Sequence, residues 1–342
     1  MAKHWVVRSA WYSFTVPYQA LVALALIALV TLCVMLISLC LGDSWIAPQT
    51  VLATLVSDTQ NEWSFVIESL RMPRMLMAAM VGAALALSGL VLQSMIRNPL
   101  ASPDIIGITS GASAAAVAFL SFFVGLGMAW LPVFAITGAA LAALAIYTLA
   151  WRGGVTPMRL ILVGIGVSAA MGAVTTLLIA VSSTATSITA YIWLTGSVYG
   201  ADWQDVKALV PWLLVTIPLS LFLARRINAQ ELGDQLATGL GLSVQRLRLV
   251  LLALSVLLAA PAVAYAGAVG FVGLIAPHIA RRLISRSFAL LMPATAMVGA
   301  CLVLLADLMG RMLFQPLDIP AGVFVSAIGA PFFIYLLYRQ RF

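Results

Sequence analysis

Long apolar runs follow one another along almost the whole chain, and only short polar connections separate them. A helix that crosses the hydrocarbon core of a bilayer needs about 20 residues of this kind. Hydrophobic residues make up 63% of the 342 residues and charged residues only 8%, whereas a soluble domain carries roughly 25% charged residues. No soluble fold could bury so much apolar surface, so the pattern predicts an all-α integral membrane protein.

Hydropathy and helix breakers together predict about ten transmembrane helices. The candidate spans lie near residues 20–41, 75–95, 105–124, 131–151, 160–181, 208–223, 249–268, 274–284, 289–306 and 322–338. No charged or Pro/Ser-rich linker divides them, so we expect residues 1–342 to form a single transmembrane domain. Spans 2–5 begin on one side of the membrane and spans 7–10 on the other, which suggests an inverted repeat, a common architecture of transporters.

The distribution of lysine and arginine predicts the orientation of the chain. With a cytoplasmic N-terminus, the 18 basic residues all lie on the cytoplasmic side except Arg71, Arg74, Lys207 and Arg311. This positive-inside asymmetry requires an even number of spans, so we expect both termini in the cytoplasm and the protein in the cell inner (plasma) membrane. The formal charge of +7 is scattered over short loops, which predicts contact with membrane lipid and no binding of nucleic acid.

Three arginines on the outer side are exceptions to this rule. Arg71 and Arg74 open the second span, and Arg311 lies in the last predicted outer loop. Their side chains could reach lipid headgroups while the stems stay in the membrane. They could equally bind the carboxylates of an acidic soluble partner through bidentate hydrogen bonds. The residues alone leave both interpretations open.

The longest inner loop, residues 225–248, is amphipathic and suggests a short surface helix. Leucines recur there at helical spacing, and two glycines would end the helix. These residues are Leu232, Leu236, Leu240, Gly239 and Gly241. The polar face carries Glu231 and Asp234 rather than lysines, so a groove in a protein partner is favoured over an anionic lipid surface.

Small residues recur at intervals of four in two spans and let helix backbones approach closely. The stripes are Ala78, Gly82 and Ala86 in the second span and Gly164, Ser168 and Gly172 in the fifth. Helix packing explains such stripes, and so does the lining of a translocation path. We assign Gly164, Ser168 and Gly172 to a candidate path, together with Gln93 before the proline-rich inner turn at 97–104.

The sequence carries no sign of an enzyme. The phosphate-binding loop G-x-x-x-x-G-K-[ST] is absent because the two lysines, Lys3 and Lys207, have other surroundings. No nucleophile–base pair, metal constellation or cofactor site is recognisable. If ATP drives transport, a separate chain must hydrolyse it. An ion-coupled secondary transporter is the alternative, although proton coupling needs a titratable residue inside the membrane and none lies at mid-span.

Several stretches taken together resemble the FecCD family of ABC importer permeases. These stretches are 71–74, 82–89, 97–104 with Gln93, 232–234 with 240–241, 271–278, Asp307 with Arg311, 319–322 and 329–331. The resemblance covers nearly the whole chain and is strongest to the second permease of a ferric siderophore importer. One departure is Asp318, because the family commonly has Glu there, and we transfer no role to it.

The resemblance implies ten helices per subunit, a second permease subunit (a paralogue or a second copy) and a cytoplasmic ABC ATPase dimer. It also implies a binding protein, in the periplasm or anchored to lipid, and a ferric siderophore as cargo, with haem or cobalamin as alternatives. Arg71, Arg74 and Arg311 would then pair with glutamates of the binding protein. The residues that would couple to the ATPase are Glu231, Leu232, Gly233, Asp234, Ala237, Gly239 and Gly241.

Overall fold

The computed structural model describes residues 4–8, 13–56, 62–284 and 287–339. Within these ranges every regular element is helical except an antiparallel hairpin of two strands, β1 (His4–Arg8) and β2 (Ser13–Pro17). The α-helices are α1 Tyr18–Cys40, α2 Pro48–Val56, α3 Met72–Ile96, α4 Ile108–Phe122, α5 Leu131–Ala150, α6 Pro157–Val181, α7 Thr184–Thr195, α8 Trp203–Glu231, α9 Asp234–Gly239, α10 Val244–Ala266, α11 Val272–Leu283, α12 Phe288–Met312 and α13 Ala321–Arg339. The predicted all-α fold is confirmed, with the hairpin as a small addition.

Eight helical segments of the described chain are long and apolar enough to cross a membrane. They contain α1, α3, α5, α6, α8, α10, α12 and α13. The shorter helices α4 and α11 occupy the predicted third and eighth spans, so each of the ten predicted spans coincides with a helix. Two further helices, α2 and α7, were not predicted from the sequence.

The second and sixth spans begin earlier than predicted. A π-helix, Phe65–Arg71, runs directly into α3. Pro73 lies at the start of α3 and has no N–H to donate to the backbone hydrogen bonds of a regular α-helix. Helix α8 begins at Trp203 because Asp202 and Asp205 form a reciprocal capping box in which each carboxylate accepts a backbone N–H of the other. Hydropathy misses both starts because charged residues interrupt the apolar pattern there, namely Glu68, Arg71 and Arg74 in the second span and Asp205 and Lys207 in the sixth.

The ninth span also ends later than predicted. The sequence places Asp307 and Arg311 in an outer loop, and this placement is wrong because α12 continues to Met312. An acid and a base four residues apart face each other on a helix. Because Asp307 and Arg311 form an ion pair, the helix can continue through both residues. The fall in hydropathy at these two residues therefore does not mark its end.

Helix α3 is the centre of the bundle, and almost all of it is buried from Val81 onward. A Cβ atom on Gly82 would overlap the carbonyl group of Gly299 in α12, and one on Gly89 would overlap that of Gly273 in α11. Backbones therefore touch where only glycine fits. The hydroxyl of buried Ser88 donates a hydrogen bond of 2.9 Å to the carbonyl oxygen of Ser255 in α10.

The two blocks of the suggested inverted repeat share one irregularity. In α3–α6 and in α10–α13 the second helix is short, and a segment without regular structure precedes it, at 97–107 and 267–271. Interrupted helices at matching positions are typical of inverted-repeat transporters. The repeat itself stays a prediction.

We predict that Gly82→Ala lowers the free energy of unfolding by about 1–3 kcal/mol, because the added methyl group would push α3 away from α12. Thermal denaturation of the purified protein, followed by tryptophan fluorescence, measures the change. Gly166→Ala is the matched control, since nothing lies within 4 Å of a Cβ there and alanine favours the helix. Equal stability of the two variants would contradict the close contact.

Candidate functional site

The three arginines predicted for docking surround one cavity of about 660 Å³. We call the end of the bundle where α3 begins and α12 ends the outer end, following the predicted orientation, and the opposite end the inner end. The charged side chains that line this outer cavity are Asp43, Arg71, Arg74, Asp202, Arg311 and Asp318. The structure therefore brings Arg71, Arg74 and Arg311 together, although their surroundings differ.

Arg71 closes the C-terminal end of α1. Its guanidinium donates to the carbonyl oxygens of Leu39 at 2.7 Å, Cys40 at 3.0 Å and Ser44 at 2.8 Å. The last carbonyls of a helix have no partner within the helix, and a cation also favours their partial negative charge. Arg71 is only 8% exposed, so its main contacts are with the protein's own backbone.

Arg74 lies between two carboxylates. Its Nε donates to Asp307 Oδ1 at 2.9 Å, while Nη1 and Nη2 donate to the two oxygens of Asp318 at 2.6 and 2.8 Å. The guanidinium carbon lies 5.4 Å from the ring centre of Tyr199, a cation–π distance. These contacts fix the plane of the guanidinium at the wall of the cavity.

Arg311 shares Asp307 with Arg74. Its Nε lies 3.2 Å from Asp307 Oδ2, an ion pair without hydrogen-bond alignment. Its Nη2 donates to Ser38 Oγ at 2.8 Å, and its Nη1 to the carbonyl oxygen of Leu41 at 3.3 Å, so it also holds the end of α1. The lining of the cavity thus carries three arginines and three aspartates, Asp43, Asp202 and Asp318, and Asp307 lies buried behind Arg74 and Arg311.

At the inner end, Asp234 joins three helices. It is the first residue of α9, and its carboxylate accepts from Arg97 Nη2 at 3.1 Å and from Arg248 Nη2 at 2.6 Å. Arg97 follows α3 directly in a left-handed conformation, and Arg248 is buried in α10, where it also donates to the carbonyl oxygen of Val155. Helix α9 is thus fastened to the ends of α3 and α10.

The predicted coupling residues form one exposed surface around α9. Leu232, Leu236 and Leu240 are each more than 60% exposed, whereas Ala237 is fully buried. Gly233 and Gly241 have positive φ angles of 110° and 83° and delimit the short helix. The predicted surface helix is confirmed, and its leucines have no apolar cover from the described chain. All of the predicted coupling residues except buried Ala237 are at least partly exposed at this surface, namely Glu231, Leu232, Gly233, Asp234, Gly239 and Gly241.

Of the four residues predicted for the path, Gly164, Ser168 and Gly172 lie along one face of α6, whereas Gln93 lies in α3. Gln93 is buried and braces α3 against α11, because Oε1 accepts from Arg281 at 2.6 Å and Nε2 donates to the Gly273 carbonyl at 3.3 Å. Gly164 packs on the backbone of Ile106. The hydroxyl of Ser168 is buried and has no hydrogen-bond partner among the residues that the structure describes. Gly172 lines an open groove between α4, α6 and α7.

That groove contains Asp104, a residue whose importance the sequence did not indicate. Its volume is about 400 Å³, and its polar lining comprises Asp104, Thr109, Ser110, Ser113, Thr175 and Thr176. Asp104 accepts from Thr109 Oγ1 at 2.7 Å and from the Phe271 N–H at 3.2 Å, so it lies where the N-termini of α4 and α11 meet. An Asp shortly before a helix start is the signal that could have identified it.

Comparison with known proteins establishes the family. A model of the FecCD transport family matches residues 28–339, from within α1 to the end of α13. The chain belongs to the FecCD transport family. The achromobactin transport system permease protein CbrC of Dickeya dadantii (strain 3937) is 52% identical over 335 residues, 98% of this chain and 96% of CbrC. The iron(3+)-hydroxamate import system permease protein FhuG of Bacillus subtilis (strain 168) is 42% identical over 330 residues, 94% of this chain and 98% of FhuG.

A solved structure has the same fold as this FecCD chain. It is a metal-chelate type ABC transporter in an inward-facing conformation, with a TM-score of 0.83 and 32% identity, and the match covers 93% of this chain and 99% of that one. The resemblance stated from the sequence is therefore confirmed. Among the described residues, no group of three or more His, Cys, Asp or Glu side chains could hold a metal ion.

We predict that Arg71→Met lowers the free energy of unfolding by about 2–3 kcal/mol, because it leaves buried carbonyl groups at the end of α1 without a donor. Lys207→Met removes an exposed cation near the same end of the bundle and should change stability by less than about 0.5 kcal/mol. Thermal denaturation of both variants makes the comparison. A stable Arg71→Met variant would contradict this structural role.

Proposed function

We propose that this chain is the membrane permease subunit of an ABC importer that moves a ferric siderophore from the periplasm to the cytoplasm. The observation that carries the proposal is the match along almost the entire chain to permeases of an achromobactin transport system and an iron(3+)-hydroxamate import system. A separate ABC ATPase supplies the energy. The permease lies in the inner membrane with both termini in the cytoplasm, an orientation that the basic residues support.

The surface around α9 is the proposed docking site for the ATPase dimer. Three exposed leucines, each worth about 1.5–3 kcal/mol when fully buried, have no apolar cover within the described residues. The charged residues of the segment 231–241 are Glu231 and Asp234, and it has no lysine or arginine to bind anionic lipid. A groove in a protein partner would cover the leucines and leave the acids at its rim.

Ion pairs of Asp234 connect this docking site to two helices of the membrane domain. Its carboxylate holds Arg97 at the end of α3 and Arg248 in α10. A displacement of α9 by the ATPase would therefore act on two central helices at once. This connection supports the role in coupling that we propose for the residues around α9.

The outer cavity is the proposed docking site for the substrate-binding protein. Arg71, Arg74 and Arg311 all line it, and arginine binds carboxylates through two parallel hydrogen bonds. We propose that glutamates of the binding protein meet the side chains of Arg74 and Arg311. Arg71 contributes mainly by holding the segment at Ser44 that lines the cavity.

A second permease subunit, a paralogue or another copy, would complete the translocation path. The groove at Gly172 has a polar lining that includes Asp104, Ser110 and Thr176, beside apolar side chains that α6 exposes along its length. Polar groups on a transmembrane surface are costly against lipid, so we propose that this face meets the second subunit and the cargo. Gln93, Gly164 and Ser168 would support the wall of the path from behind.

Uptake of radioactive iron by cells that lack the chromosomal permease gene tests the function. Cells that carry the gene on a plasmid should accumulate iron from one or more ferric siderophores in a panel of hydroxamates, catecholates and carboxylates. Haem and radiolabelled cobalamin are included as competing cargoes. Uptake of haem or cobalamin alone would contradict the siderophore assignment.

We predict that Leu236→Glu reduces ATP-dependent transport roughly tenfold or more, because docking would have to bury an unpaired carboxylate at a cost above about 1.4 kcal/mol. Gln235→Glu is the matched control, since it places the same charge at the neighbouring exposed position of the same helix. Transport and copurification of the ATPase are measured for both variants. Equal loss in both, or in neither, would contradict an apolar docking face.

A further inference from the structure

The guanidinium of Arg74 has no free edge for a partner. A guanidinium offers two forks, one formed by Nε and Nη2 and the other by Nη1 and Nη2. Asp307 Oδ1 occupies the first fork, at 2.9 Å from Nε and 2.8 Å from Nη2. Asp318 occupies the second with both of its oxygens. One N–H of Nη1 remains, which is enough for a single hydrogen bond but not for a bidentate pair.

The two acids that hold Arg74 differ in their freedom to move. Asp307 lies within α12, is 2% exposed, and also pairs with Arg311. Removing its carboxylate from the cluster would leave buried Arg311 without its ion-pair partner and Arg74 with Asp318 alone, which is costly. Asp318 lies in the connection 313–320 between α12 and α13, and its side chain is 26% exposed at the wall of the cavity. Water can reach the Asp318 carboxylate as soon as it leaves Arg74.

We propose that Asp318 is a displaceable internal counter-ion of Arg74, whose place the carboxylate of the binding protein takes during docking. The proposal rests on the docking function given above for the outer cavity. Asp318 holds the guanidinium in the plane and position that a bidentate carboxylate needs, so the exchange requires no rotation of Arg74. Asp307 and Tyr199 stay in contact throughout and keep that position.

This exchange gives Asp318 control over both affinity and specificity. A partner that presents a carboxylate at the second fork replaces a like group and regains its hydrogen bonds. A partner with a neutral or basic group there leaves Arg74 paired with Asp318 and gains nothing. The same carboxylate also opposes the approach of an acidic surface, because like charges in a cavity with protein walls repel. Removing the charge of Asp318 should therefore tighten docking.

Binding of the substrate-binding protein of the same import system to the permease–ATPase complex in nanodiscs tests the proposal. We expect Asp318→Asn to lower Kd roughly 3- to 10-fold, an effect the size of one partly exposed ion pair. Asp318→Glu keeps the charge and should bind within about twofold of the wild type. Asp43→Asn is the matched control, since Asp43 lines the same cavity but is not among the acids bonded to Arg74, which are Asp307 and Asp318.

A second measurement does not depend on the partner. Phenylglyoxal modifies accessible guanidinium groups, and mass spectrometry of the peptides reports the rate at each arginine. Arg74 should react several-fold faster in Asp318→Asn than in the wild type, and at an unchanged rate in Asp43→Asn. An unchanged rate at Arg74 in Asp318→Asn would show that Asp318 does not shield it and would overturn the proposal.

The outcomes separate this inference from the docking function. If wild type binds the partner and Asp318→Asn binds equally or more weakly, docking stands and the counter-ion role is wrong. If neither the wild type nor Asp318→Asn binds the substrate-binding protein, the docking function is wrong, and the counter-ion role is wrong with it. If Asp318→Asn and Asp318→Glu changed the Kd of the binding protein equally, Asp318 would have a purely structural role, and this result would also overturn the proposal.

Discussion

The close contact of α3 with α12 and α11 is the interaction on which the rest of this structure depends. Lipid tails are as apolar as the side chains they touch, so helices in a bilayer associate through packing and polar contacts. Gly82 against Gly299 and Gly89 against Gly273 bring the backbones together. The position of the central helix then determines which residues from distant parts of the chain can meet at the two ends of the bundle.

Both proposed partner sites follow from the position of α3. At its first turn Arg74 meets Asp307, and just beyond its last residue Arg97 meets Asp234. Charged groups are costly in hydrocarbon, and this chain keeps these pairs at the ends of its helices. Asp104 differs from these pairs, because it lies where two helix N-termini meet and accepts hydrogen bonds from the Thr109 hydroxyl and the Phe271 N–H.

The helices could be predicted from the sequence because a membrane requires long apolar segments, and each predicted span does coincide with a helix. The contacts within the outer cluster could not be predicted, since Arg74 and Asp307 are 233 positions apart. The same limit explains Arg71, which was expected to contact lipid headgroups or the carboxylates of a partner and instead closes α1. A falling hydropathy marked the end of the ninth span too early because it ignores the compensation of Asp307 by Arg74 and Arg311. The surface helix α9 was predictable because its leucine spacing is local.

Transport by the purified complex in proteoliposomes tests the central claim most directly. The permease, its ATPase and the binding protein are reconstituted, and radioactive ferric siderophore is followed across the membrane with ATP on the ATPase side or with an imposed proton or sodium gradient. The account predicts accumulation that requires ATP hydrolysis and persists when ionophores abolish both gradients. Accumulation driven by either gradient without ATP would contradict it and would identify an ion-coupled transporter.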